Sequence, residues 1–129
     1  MIIFLFFCNF ICLFSLLFYY LCYFIISFFL FLSIVAFVIG KEYTSLSSLL
    51  FALSIIFDKY FGSNIFSTKR FTVYFIFVSV FTVIFNGYLT WRPIVTYDEI
   101  YQIGFRIFTI PIEDFFFGYG LLILSTSIF

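Results

Sequence analysis

Glu113 and Asp114 are adjacent carboxyls that open a long uncharged run, residues 115–129. Pro111 precedes them by two and three residues, and Phe115, Phe116, Phe117 and Tyr119 follow. Arg106 lies just upstream. A carboxyl facing a dry cavity has its neutral form favoured and becomes a proton donor held ready near neutral pH. Adjacent helical residues point about 100° apart, so the two acids cannot share one direction. One can serve as general acid while the other stays ionised as base or electrostatic stabiliser. Arg106 is the natural partner for the ionised carboxylate. Aromatic faces attract a developing cation by about 2 kcal/mol or more when desolvated, which gives Phe116, Phe117 and Tyr119 a possible role. At least two of the four aromatics are expected to face lipid. A structural role competes throughout, because acids in a first helical turn gain about 0.3–1 kcal/mol from the helix dipole. Asp98 and Glu99, beside Tyr97, read as a solvated turn.

The elements that must position these residues are membrane helices. Of 129 residues 66% are hydrophobic and 9% charged, whereas soluble domains carry about 25% charged residues. Every charge falls between Lys41 and Asp114. Six basic and six acidic groups cancel, which leaves no electrostatic footprint for nucleic acid. The 26 phenylalanines can reflect genome base composition and are not themselves read as function. Cys8, Cys12 and Cys22 sit in apolar runs in a chain without histidine. They read as small hydrophobes, and no metal site is expected. The N-terminus lacks the basic region of a signal peptide and reads as a retained membrane segment.

The fold class expected is an all-α, polytopic integral membrane bundle of about four to five transmembrane helices. Residues 1–40 form an N-terminal hydrophobic region. One helix over 1–39 would be about 58 Å long, nearly twice the hydrocarbon thickness. Two helices at about 2–19 and 23–39 are therefore expected, with a turn at the interfacial tyrosines 19–23. Further helices are expected at about 44–57, 71–87 and 110–127, the last entered through Pro111. Residues 58–70, DKYFGSNIFSTKR, read as a polar loop. Pro93 is expected to end the fourth helix and bias Arg92 to an extended backbone. No strand pattern and no dinucleotide fingerprint occur. Lys59, Lys69 and Arg70 then lie on one side and Lys41, Arg92 and Arg106 on the other, so the positive-inside rule leans only weakly to a cytoplasmic 58–70 loop.

Three stretches in order, NGYLT at 86–90, PIVTYDE at 93–99 and GFRIFTIPIEDFFFGYG at 104–120, resemble the second half of the lycopene cyclase domain family. This is the small membrane type found as paired subunits or fused halves. Asn86, Gly87, Thr90, Pro93, Val95, Tyr97, Gly104, Arg106, Thr109, Pro111, Glu113, Asp114 and Gly118 fit its pattern, and KEYTSLSSLLFAL at 41–53 is similar to its connecting segment. The resemblance covers residues 41–129, a lycopene cyclase-like membrane domain.

It implies acid-catalysed, redox-neutral closure of lycopene end-groups to β-rings, a lyase/isomerase-type carotenoid reaction without cofactor. Glu113 and Asp114 would be catalytic, and Arg106, Thr109, Pro111, Asn86 and Tyr97 supporting. The substrate would be a carotenoid in membrane lipid, and the location a prokaryotic cell or plasma membrane crossed several times. Complete enzymes of this type resemble two halves, each with a Pro-x-Glu-[Glu/Asp] element. This chain has one, at 111–114, which implies a second half-subunit or a homo-oligomer. The alternatives are a non-catalytic membrane scaffold or assembly subunit, a truncated inactive copy, or a proton-relay component. The last would need a second deep polar residue, for which Asn9 is the candidate.

Overall fold

The computed structural model describes residues 1–128, apart from the side chains of residues 2–7 and 67. Four helices carry it: α1 (Ile2–Ile39), α2 (Glu42–Phe61), α3 (Lys69–Trp91) and α4 (Ile112–Ile128). A two-stranded ribbon, β1 (Arg106–Ile107) and β2 (Ile110–Pro111), precedes α4. The fold is thus an all-α membrane-type bundle. Cys8–Ile39, Glu42–Phe61 and Lys69–Trp91 are each long and apolar enough to cross a membrane.

The first helix corrects the expectation of two. Residues 2–39 contain neither Gly nor Pro, and without water an unbroken helix is the cheapest way to satisfy every backbone group. The tyrosines proposed as a turn instead stack along the helix. The Tyr19 hydroxyl donates to that of Tyr23 at 3.1 Å, one helical turn on. The break comes at Gly40, whose φ of 88° suits glycine. Gly62 ends α2 in the same way, with φ 66°. α2 therefore runs four residues beyond the expected end, and the polar loop shrinks to the stretch between α2 and α3.

α2 is the central helix, packed between α1 and α4. Its buried face is built of small residues: Thr44, Ser45, Ser47, Ser48, Ala52 and Ser54. Small side chains let membrane helices approach closely. Ser47, Ser48 and Ser54 return their hydroxyls to carbonyls of their own helix. Ser33 of α1 instead donates across the seam to the Ser45 carbonyl at 3.0 Å. Towards the far end, Ile55, Ile65, Phe71, Leu122 and Ile123 form the apolar core. α3 is the outlying helix, with Phe71 as its one buried residue.

Gly120 sets the α2–α4 spacing. A Cβ there would lie 3.3 Å from Leu50 Cγ and 3.4 Å from the Phe51 backbone, whereas one at Gly118 would meet nothing within 4 Å. Gly120→Val is expected to destabilise by about 1–3 kcal/mol through overpacking. Gly118→Val should cost much less. Melting temperatures of the two variants in one detergent would show whether they separate.

At the other end α3 stops at Trp91, two residues before Pro93. Arg92 is not extended as expected but has φ −84°, ψ 17°, with its N–H bonded to the Tyr88 carbonyl. The ribbon is a feature that strand periodicity could not announce. It pairs Arg106 with Pro111 and Ile107 with Ile110. Its tip holds Phe108 at φ 56°, a costly conformation for a bulky residue.

Candidate functional site

The site lies where the start of α4 meets the start of α2 and the 92–105 loop. Pro111 is buried in β2, one residue before α4 begins. Glu113 and Asp114 occupy the first turn and are both buried, Glu113 with 0% exposure.

Their surroundings differ. Glu113 Oε1 accepts from Thr44 Oγ1 at 2.7 Å and from the Ile103 backbone N–H at 3.0 Å. Its other oxygen, Oε2, is buried with no partner on the described protein. Asp114 uses both oxygens: Tyr43 donates its hydroxyl to Oδ1, and Tyr97 donates to Oδ2 at 2.6 Å. The two carboxyls thus differ in their partners: Glu113 has one oxygen without a protein donor, and Asp114 has a phenol on each.

Burial, and then the bond to Asp114, push the Tyr97 phenol well above its usual range. Its contribution to stability is present below the ordinary tyrosine value of about 10 and is lost as pH rises through the elevated one. In an ultraviolet alkaline titration Tyr97 is expected to ionise after unperturbed tyrosines. Tyr97→Phe should diminish that late step without abolishing it, because Tyr43 shares the same carboxylate.

The supporting residues are placed as follows. Thr109 Oγ1 lies 2.6 Å from Thr90 Oγ1, and Thr90 also donates to the Asn86 carbonyl at 2.8 Å, so the ribbon is tied to the end of α3. Asn86 is half-buried in that last turn, away from the carboxyls' direct partners. Arg106 does not pair with either acid, against expectation. The ribbon register turns it outward, where its guanidinium lies 3.5 Å from the exposed Glu99. Asp98 and Glu99 are exposed, as a solvated turn requires, and Asp98 caps Ile100 N at 3.1 Å. Lys41 donates to the carbonyls of Glu99 and Gln102, which holds the loop to the start of α2.

The aromatics after Asp114 are mostly engaged with other rings. Phe115 is buried, and Phe116, Phe117 and Tyr119 are half-buried, so none is fully turned to lipid. The Phe116 centroid lies 5.0 Å from Phe29 and 5.8 Å from Phe51. Tyr119 lies 4.4 Å from Phe75, with its hydroxyl 2.9 Å from Ser79 Oγ.

Residue-type reasoning missed Tyr43, Thr44 and Gln102. Tyr43 and Thr44 lie about seventy residues before the acids they bind, and no local pattern connects them. Gln102 is 2% exposed, and its Oε1 has no donor on the described protein.

An all-α bundle of long apolar helices that buries two adjacent carboxyls defines a membrane-type protein. The chain belongs to the lycopene cyclase family, whose family model matches residues 40–129. No curated protein and no solved structure matches it. Membership brings the coarse function, carotenoid cyclisation, and the apolar helices bring association with membranes.

Proposed function

We propose that this chain closes lycopene end-groups to β-rings by general-acid catalysis, with Glu113 as proton donor and Asp114 as the ionised stabiliser. The observation that carries the assignment is the asymmetry of the pair. Glu113 keeps one buried oxygen without a partner, while Asp114 spends both oxygens on phenols.

The Glu113 proton adds to the inner carbon of the terminal double bond and leaves a tertiary cation at the outer carbon. The neighbouring double bond attacks that cation, forms the ring C–C bond and moves the charge onto the ring. The Glu113 carboxylate takes a proton from the adjacent ring carbon, which forms the β-ring double bond and restores the acid. One proton enters and one leaves, with no change in oxidation state. Water must be excluded throughout, since it would capture the cation, and full burial of Glu113 serves that need. Asp114 faces the developing positive charge with a fixed negative one.

In this reading the protein is a multi-pass membrane protein of a prokaryotic cell. α2 and α3 cross between Lys41, Arg92 and Arg106 on one side and Lys59, Lys69 and Arg70 on the other. One Pro-x-Glu-Asp element supports a partner, either a second half-subunit or another copy.

The test is pigment chromatography from a lycopene-accumulating bacterial host that expresses the chain, alone and with a first-half subunit. Cyclised carotene in either case supports the proposal. Unchanged lycopene in both, with the protein present in the membrane, defeats it.

A further inference from the structure

Two donors from different parts of the fold converge on one oxygen of Glu113. Thr44 Oγ1 donates to Oε1 at 2.7 Å, and the Ile103 backbone N–H donates to the same atom at 3.0 Å. Thr44 is 2% exposed and Glu113 0%, so bulk solvent is kept from both side chains.

The direction of the Thr44 hydroxyl sets it apart. Ser47, Ser48, Ser54, Ser79 and Thr82 return theirs to carbonyls of their own helices, the usual local choice. Thr44 lies in the first turn of α2, and its hydroxyl crosses to α4 instead. Both donors are also held from behind. The Thr44 carbonyl accepts the hydroxyls of Ser47 and Ser48, which ties down the turn. On either side of Ile103, the Gln102 carbonyl accepts from Lys41 Nζ and the Phe105 carbonyl accepts from the Ile112 N–H.

A neutral carboxyl has two unlike oxygens. One is a carbonyl that accepts hydrogen bonds, and the other carries the proton and donates it. Two donors aimed at Oε1 suit the carbonyl role and leave the proton to Oε2, which has no partner on the described protein. Without such donors the last torsion of a glutamate is broad and two-fold, and either oxygen could be offered.

We infer that Thr44 is a positioning residue: it fixes Oε1 of Glu113 as the carbonyl oxygen, so that the transferable proton is carried on Oε2 alone. The inference rests on the proposed role of Glu113 as proton donor. Thr44 forms no bond to the substrate. It governs how often the acid is presented in its productive orientation, which bears on turnover more than on substrate affinity.

The experiment uses the full chain in lipid nanodiscs, with its partner subunit if one is required. Thr44 is changed to Val and to Ala, which lack the donor, and to Ser, which keeps it. Val and Ala are each expected to lower kcat by about ten- to a hundredfold, the cost of a misplaced reacting group, with little change in KM. Ser should retain most of the rate. A role in packing alone would give the opposite order, since Val keeps the shape of Thr and Ser does not. Val as fast as the wild type, or Ser as slow as Val, would overturn the inference while leaving the Glu113 assignment standing.

A second readout needs no turnover. The infrared carbonyl band of a protonated carboxyl rises in frequency when its carbonyl oxygen loses a donor, because the bond regains double-bond character. The band that disappears in Glu113→Gln identifies Glu113. It is expected to move up in Thr44→Val and to stay in place in Thr44→Ser. A Glu113 band unmoved by Val would remove Thr44 as the residue that fixes Oε1. The absence of any such band from the wild type would remove Glu113 as a carrier of the proton, and the inference with it.

Discussion

Replacing Glu113 by glutamine is expected to stop ring formation and leave the protein folded. The environment of the side chain explains why the two effects separate. The glutamine carbonyl oxygen can take the place of Oε1 and still accept from Thr44 and Ile103 N, at the 2.7 and 3.0 Å that the carboxyl now uses. The amide nitrogen falls where Oε2 lies, which has no protein partner to lose. What disappears is the acidic proton. General-acid catalysis contributes about 10²–10⁴ in rate, and no other carboxyl of the described residues has a free buried oxygen. Pigment chromatography should therefore show lycopene alone, while the melting temperature in detergent moves little. Ring product from this variant at more than a tenth of the wild-type rate would remove Glu113 as donor.

The second large effect is on stability. Asp114→Leu is expected to cost about 2–6 kcal/mol, since it strands two phenol hydroxyls at about 1–3 kcal/mol each. Tyr43 and Tyr97 would then have no acceptor in the first turn of α4. Asp114→Asn is milder, because its carbonyl still accepts one phenol and the other hydroxyl can rotate to accept from the amide. Its cost should appear in rate, as loss of the fixed negative charge, by about 10²–10³. The order Leu below Asn below wild type in melting temperature checks the first statement. The Asn variant's turnover at full folding checks the second.

Parts of this were legible in the sequence. Glu113 and Asp114 stand out because charge is rare and a helix start is a local signal. The apolar runs of α2, α3 and α4 were readable from length and composition. α1 was misread because a length rule for single crossings was applied to a segment with no helix breaker before Gly40. Arg106 was misassigned because opposite charges suggest a pair. Its direction is set by a two-residue ribbon whose tip, Phe108-Thr109, lacks the Gly or Asn that usually marks such a turn. Tyr43 and Thr44 escaped notice because α2 meets α4 through packing, and nothing near residue 43 or 44 refers to residue 113 or 114.

The outlying position of α3 has a consequence for how the chain can change over generations. With Phe71 its one buried residue, the exposed apolar positions of α3 can exchange among Phe, Ile, Leu and Val at little cost, whereas Ser79 and Thr90 are held by hydrogen bonds to Tyr119 and Thr109. The same holds for much of the outer face of α1. A drift in nucleotide composition would be absorbed there first. The small-residue face of α2 and the few groups around Glu113 and Asp114 have no such latitude. A saturation library should therefore divide into two tiers by location, with hydrophobic character enough on the outer helices and individual residue identity required along the central one.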